Sequence, residues 1–284
     1  MTFSFAENLS VTELCTLFNT AFSDYVQPMV LTNEILELKL TRDGTDLRFS
    51  PLALEHNAAV GFILNAVGEW QGRKTAYNGG TGVVPEARGQ AVAQQMYHFC
   101  LPVLKGEGVE QCLLEVIKEN TRAFTIYKKL GFEIVRNFRC FRHNKAELAW
   151  HSNNPEGVTY KTVNTPDWPL YQTFWDVEPS WQHHIASIDR STGYIRVVEA
   201  YALDRCVGYG VVYPMTGAIA QLAVAPAWRG SGIGQALLQQ MAELTTSAVI
   251  SVINVDEQSQ VTLEFLQNRG MSEIPGQYEM IRPV

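Results

Sequence analysis

GAIAQLAVAPAWRGSGIGQALLQQM, residues Gly217 to Met241, decides how this chain folds. Ala218 to Val224 predicts a buried strand, and Pro226, with no amide hydrogen to give a ladder, marks its end. Arg229-Gly230-Ser231-Gly232-Ile233-Gly234 follows as a turn. Beyond it Ile233, Ala236, Leu237, Gln240 and Met241 recur at helical spacing. A strand, a glycine-rich turn and a helix N-terminus make a place for an anion. Glycine lets the backbone approach a phosphate, the first-turn amides lack intrahelical partners, and the helix dipole adds attraction.

Two other glycine loops do not fit. The nucleotide phosphate loop needs G-x-x-x-x-G-K-[ST], and no Lys-Ser or Lys-Thr closes this turn. The dinucleotide fingerprint needs G-x-G-x-x-G, whereas the third glycine here comes one place early. R-G-x-G-x-G after a V-x-P strand end resembles the acetyl-CoA pyrophosphate loop of the GNAT (Gcn5-related N-acetyltransferase) superfamily. The resemblance implies that acetyl-CoA is held at Ala223, Val224, Arg229, Gly230, Ser231, Gly232, Ile233 and Gly234. A strand–helix turn with no ligand is the plainer alternative.

The chain has 284 residues, 46% hydrophobic and 18% charged, enough for two domains with cores. A formal net charge of −7 argues against a general nucleic-acid role and tolerates a cationic amine substrate. Cys15, Cys100, Cys112, Cys140 and Cys206 are odd in number, scattered and without a C-x-x-C, which predicts reduced thiols and a cytoplasmic protein. No metal-ligand spacing occurs. Glu7, Glu13 and Asp24 interrupt the first apolar stretch, so no secretory signal is expected, and no run of 18 apolar residues predicts a membrane span.

From the N-terminus, Thr2 to Phe5 predicts a strand and Val11 to Ala21 a helix, with a capping box of Ser10 and Glu13. A turn around Pro28 and a helix over Thr32 to Leu40 follow. Leu47 to Glu55 and Ala59 to Val67 read as strands joined at His56-Asn57. Then come a strand over Thr75 to Val84, a helix over Gly89 to Leu104, a strand over Gln111 to Ile117, a helix over Thr121 to Leu130 and a strand over Phe132 to Phe141. The order repeats from Val158, with Asp167 to Arg190 mostly helical and interrupted at Pro169 and Pro179. Pro85 matches Pro226, Arg88 matches Arg229, and Gly131-Phe132 matches Gly270-Met271. An internal repeat of this length means two domains. The expected division is 1–145, a linker at 146–157, and 158–284. The resemblance to a tandem member of the superfamily implies an α/β (mixed α+β) protein of two copies, each with a mixed, mostly antiparallel sheet flanked by helices.

The copies are equipped differently. On the family pattern the amino-terminal loop offers Val84, Arg88, Gly89, Ala91 and Ala93 to the cofactor, with Ala91 in the place of the central glycine. A methyl there either crowds the phosphates or forces a backbone angle that glycine takes more cheaply. Downstream, L-E-V-I-x-x-N-x-x-A-x-x-x-Y-x-x-x-G-F, from Leu114 to Phe132, resembles the acceptor half-site of ribosomal-protein alanine acetyltransferases. That resemblance implies Glu115 as base, Tyr127 as acid toward the leaving thiolate, and Asn120 on the pantetheine arm. The structural alternative has Asn120 as a helix cap, Tyr127 packed under the sheet and Glu115 in an ion pair.

The carboxy copy has Leu266, Ser259 and Thr262 where the first has Tyr127, Asn120 and Ala123. Glu199, Tyr213, Asp256 and Glu257 are its candidate proton carriers. Trp175 to His184 predicts either interdomain packing or a wall of the acceptor pocket, its aromatics offering cation–π contact. Together these features predict acetyl-CoA-dependent acetyl transfer to the primary amine of a small molecule or peptide, by direct attack and without metal. The alternative is a non-catalytic acyl-CoA sensor with a scaffold amino-terminal domain.

Overall fold

The computed structural model describes residues 1–24, 30–148 and 155–284. The expected turn around Pro28 and the middle of the expected linker lie outside them. The described residues form two compact units, one of Met1–Val135 with Tyr278–Val284, the other of Arg136–Gln277.

Unit 1 runs β1 (Thr2–Phe5), α1 (Val11–Ala21), α2 (Asn33–Asp43), β2 (Pro51–Glu55), β3 (Ala58–Trp70), β4 (Arg73–Val83), α3 (Val92–Gly106), β5 (Gln111–Ile117) and α4 (Thr121–Lys129). Ser10 and Glu13 form the capping box of α1 as read from the sequence. Leu47–Phe49, expected as strand, is a turn of 3-10 helix capped by Asp46, and the strand starts only at Pro51. β1 to β4 pair antiparallel in order, and β4 pairs parallel with β5. His56 and Asn57 both take positive φ, the two-residue turn that suits strand twist.

Unit 2 repeats the pattern with β7 (Val158–Val163), α5 (Trp168–Gln172), α6 (Ile185–Arg190), β8 (Arg196–Ala202), β9 (Arg205–Tyr213), β10 (Ala218–Val224), α7 (Ile233–Leu244), β11 (Val249–Asp256) and α8 (Gln260–Asn268). The long helix expected over Asp167 to Arg190 is broken. α5 stops at Gln172, and only a 3-10 turn at Trp181–His183 precedes α6, with Pro179 in the gap.

The units do not follow the linear division expected at 146–157. β6 (Glu133–Asn144) follows α4 in sequence, yet from Arg136 on it belongs to unit 2, antiparallel to β11 with Arg142 opposite Ser251. β12 (Ser272–Pro283) ends in unit 1, where Met280 joins the core under β5 and Val284 N–H donates to Glu110 C=O (3.0 Å). Each unit thus includes a strand from the other half of the sequence. Phe141 is fully buried among Leu237, Met241, Ile250 and Leu266 of unit 2. Strand patterning shows that such a residue is buried, not which core buries it.

In both units the parallel pair separates. β4 and β5 are paired from Thr75–Gln111 to Asn78–Leu114 and then diverge. β10 and β11 are paired at Ala218–Ser251 and diverge at once. A one-residue bulge on the splaying strand sets the divergence, at Gly79 in β4 and at Ala220 in β10.

Candidate functional site

The splay of β10 and β11 opens a cleft of about 560 Å³ wholly within unit 2. Its lining includes the Arg229–Gly234 turn, the start of α7 and the broken segment from Phe174 to His183.

Gly230 and Gly232 take φ of +78° and +91°, and Gly232 caps α7 with no side chain over its first amides. Ser231 Oγ closes the turn onto Trp228 C=O (2.6 Å). The side chain of Ile233 is buried in the core, so what it presents at the turn is its amide. A Cβ at Gly234 would make an ordinary contact with Phe265 of α8, at 3.4 Å.

Arg229 turns away from the cradle. Nε donates to Val224 C=O (3.0 Å), Nη2 to Phe174 C=O (2.9 Å) and Nη1 to Asp176 (3.0 Å). Its side chain therefore fastens the turn between the end of β10 and the Phe174–Asp176 segment, and its charge is already matched.

The strand amides divide by alternation. Ala225 N–H donates to Val207 C=O (2.8 Å), so Ala223, two residues back and opposite Tyr209, points the same way. The amides of Leu222 and Val224 face the splay instead. Of the two strand residues expected to meet the cofactor, Val224 offers its N–H and Ala223 does not.

Unit 1 reproduces this frame. Arg88 donates to Val83 C=O (3.0 Å), Ala21 C=O (2.8 Å) and Asp24 (2.6 Å). Gly89 takes φ +85°, and Ala91 is held at φ +56° as an uncapped start of α3. The consequence of alanine in the glycine's place is thus a left-handed alanine, strained by roughly 1–2 kcal/mol. Val84 N–H is engaged by Val60 C=O (2.9 Å), so Val83 is the counterpart of Val224. Ala93 corresponds to Gly234 on the first turn of α3.

On the acceptor side of unit 1, Asn120 caps α4 through Ala123 N–H (3.0 Å), and Tyr127 packs edge-on against Phe132. Glu115 lies just past the last β4–β5 pair, and its partner is the hydroxyl of Tyr77 (2.5 Å). Its Oε1 is shut off from solvent without a hydrogen-bond partner among the described residues. Burial, and then the Glu279 carboxylate, push the Glu115 carboxyl up to about 8. Tyr77, Asp43 and Glu279, all buried, were not singled out by the sequence because they come from three separate elements.

A carboxyl raised on folding keeps its proton in the native state after the unfolded chain has lost it. Unit 1 therefore loses stability as pH rises from about 4.5 to about 8. Glu115→Gln is expected to flatten that dependence and to raise the melting temperature of unit 1 at pH 8, an effect on the order of a few kcal/mol. Calorimetric melts of both proteins at pH 5 and pH 8 test it.

In unit 2 the equivalent places hold different groups. Leu266, in place of Tyr127, is buried in the core. Ser259 Oγ donates to Thr262 Oγ1 (2.9 Å), and both line the cleft. Glu199 lies away from it, buried and accepting from Tyr171 (2.5 Å) and Tyr201 (2.6 Å). Tyr213 donates to Ser191 (3.1 Å). Of the four proton carriers expected there, Asp256 is the one that lines the cleft, accepting from Gln258 N–H (2.9 Å) with Arg136 at 3.6 Å.

The Trp175–His184 segment contributes Trp175, Asp176, Glu178, Ser180 and His183 to the cleft. A polar chain crosses its floor. Trp175 Nε1 donates to Tyr209 Oη (2.5 Å), Tyr209 to Gln221 Oε1 (2.6 Å), and Gln221 Nε2 to His183 C=O (2.6 Å). Burial holds the Tyr209 phenol well above its ordinary range, and Tyr171 stacks on it at 3.8 Å. In unit 1 the matching floor is apolar, with Phe62 in the place of Tyr209, packed on Phe18. The sequence signal for this floor was a tyrosine between two glycines, Gly208-Tyr209-Gly210, and a glutamine inside an apolar strand.

The acetyltransferase (GNAT) family model matches this chain twice, over residues 11–132 and 160–271. A tandem GNAT protein from the clavulanic acid biosynthesis pathway superposes with a TM-score of 0.75 at 13% identity, over 99% of this chain and 98% of that one. A putative acetyltransferase from Pyrococcus horikoshii gives 0.72 at 15% identity over 100% and 89% of the two chains. At such identity these likenesses speak for the fold alone. An N-alpha-acetyltransferase 30 from Schizosaccharomyces pombe is 29% identical over 85 residues, which cover 30% of this chain and 57% of that protein.

Proposed function

Because this chain belongs to the acetyltransferase (GNAT) family through both of its halves, we propose that it transfers an acetyl group from acetyl-CoA to a primary amine of a small molecule or peptide, in the cleft of unit 2. One observation carries the proposal. A single cleft joins the uncapped start of α7, the free strand amides of Leu222 and Val224, and the polar wall from Asp176 to His183.

In this reading the pyrophosphate lies on the amides of Gly230 to Gly234. The pantetheine arm takes the place of a strand beside Leu222 and Val224, which brings the thioester to the divergence of β10 and β11. The acceptor nitrogen attacks the carbonyl carbon. The C–N bond forms, the C–S bond breaks, and the amine's proton leaves to solvent while the thiolate takes one from water. Holding the two reactants together supplies much of the rate. No residue needs to be acylated, and Cys206, half-buried with its thiol pushed up to about 11 by burial, is unsuited to that task.

A second reading adds transfer in unit 1, with Glu115 as base and Tyr127 as acid. A carboxyl near 8 favours it, because a base poised near working pH is effective. Titration calorimetry with acetyl-CoA separates the readings. One site per chain supports unit 2 alone, and two sites support both. Release of CoA with a panel of primary amines tests transfer itself. Binding without any release would replace the enzyme with an acyl-CoA sensor.

A further inference from the structure

Resting on the reading of unit 2 as an acetyl-CoA:amine transferase, we infer that Asn254 receives the nucleophilic nitrogen of the acceptor, in its uncharged form, through Oδ1.

Asn254 lines the cleft and is 6% exposed. Its Nδ2 donates to Ser180 Oγ (3.3 Å), on the wall opposite α7. Its Oδ1 is shut off from solvent and has no hydrogen-bond partner among the described residues. A buried acceptor left unpaired costs roughly 1–3 kcal/mol, and proteins keep few of them. A ligand N–H placed between Ser180 and β11 would complete it.

The backbone supports the same conclusion independently. Asn254 has φ +56°, and the pairing of β11 with β6 slips between Val252 and Val255. The bulge turns one side chain out of the regular alternation. Asparagine tolerates the left-handed region better than the β-branched residues around it. A strained, bulged asparagine in Ile253-Asn254-Val255 is a costly way to fill a core and a direct way to aim an amide into a cleft.

The repeat sharpens the chemistry. With Gly131 matched to Gly270, Asn254 stands where unit 1 has Glu115. An amide oxygen accepts a hydrogen bond from an amine or an ammonium but takes no proton, so Asn254 does not generate the attacking lone pair as a carboxylate can. Among the carboxylates that line the cleft, Asp176 pairs with Arg229 and Glu264 of α8 is exposed. Asp256, on the same strand, is 3.6 Å from Arg136 of β6. Glu178 lies 3.4 Å from His184, and its carbonyl accepts from Arg136 (2.7 Å). His183 faces the cleft from the same wall. With no proton taken by Oδ1, the site depends on amines that are already uncharged near neutral pH. An α-amine, with a pKa of about 7.7–8.0, meets that need far better than an alkylamine near 10.4.

The test measures CoA release from acetyl-CoA with glycinamide and with n-butylamine, from pH 6 to 10, for the wild type, Asn254→Gly and Asn254→Asp. Glycine and aspartate both accept the left-handed backbone, and matching melting temperatures check the fold. The wild type is expected to prefer glycinamide by about two orders of magnitude in kcat/KM at pH 7.5. Asn254→Gly should lower kcat/KM about tenfold with acetyl-CoA affinity unchanged. Asn254→Asp should bind the ammonium, lowering KM for the amine at neutral pH while moving the rise of kcat about one pH unit upward. Wild-type kcat/KM in Asn254→Gly, or an unmoved pH profile in Asn254→Asp, overturns the role of Asn254. A wild type that binds acetyl-CoA but releases no CoA with either amine overturns the transferase reading beneath it.

Discussion

Gly232→Val is expected to weaken acetyl-CoA binding by unit 2 about a hundredfold. Gly232 sits at φ +91°, where a β-branched residue is strained by roughly 1–2 kcal/mol or more. The space beside it is open. Among the described residues a Cβ there would meet Pro155 alone, at 3.5 Å, an ordinary contact. The damage thus comes from the backbone, which rotates to relieve the strain and carries the first amides of α7 out of line. Losing one or two hydrogen bonds to a charged phosphate, at roughly 1.5–3 kcal/mol each, accounts for a factor of a hundred. Gly232→Ala is expected to be much milder, since Ala91 holds nearly the same conformation in unit 1 at φ +56°. Titration calorimetry on both variants checks the contrast. Equal losses would mean that any Cβ at this φ displaces the amides, and that Ala91 is no guide to Gly232.

Arg229→Ala is expected to lower both the stability of unit 2 and its affinity for acetyl-CoA, the latter by about thirtyfold. The guanidinium ties Val224 C=O, Phe174 C=O and Asp176 into one knot. Without it two carbonyls and a carboxylate lose a charged donor, at about 1–3 kcal/mol for each group left unsatisfied. The turn then has no link to the wall across the cleft. Arg229→Lys should not rescue the loss, because one ammonium cannot match the planar fork that reaches three acceptors. Arg88→Ala is the matched control. Arg88 makes the same knot in unit 1, so its loss should lower the melting temperature of unit 1 and leave acetyl-CoA affinity in unit 2 unchanged. If Arg229→Ala keeps full affinity and full stability, the knot is dispensable.

Much of the fold was legible because its signals are local. Pro85 and Pro226 end their strands, Ser10 and Glu13 form a cap, and His56-Asn57 makes a two-residue turn. Each depends on a few neighbouring residues. The broken segment after Gln172 was misread as largely helical. Trp175 and Phe174 line a cleft from an irregular backbone, and Trp181 lies in a 3-10 turn. The roles inside the glycine loop were only half legible. The positive φ of Gly230 and Gly232 followed from their type, whereas the inward fold of Arg229 depends on Phe174 C=O and Asp176, more than fifty residues earlier.

By itself the sequence determined that the chain is one α/β unit written twice, with a strand, turn and helix in each copy and an intact glycine turn in the second. Those are consequences of periodicity, of proline's missing amide and of glycine's backbone freedom, all properties of a short stretch. Only the tertiary structure decided which strands join which unit, that Val224 rather than Ala223 turns its amide to the splay, and that Glu115 is buried with Tyr77 while the Asn254 oxygen is buried without a hydrogen-bond partner among the described residues. Those outcomes depend on ladder register and on burial, and both are set by partners distant in the chain.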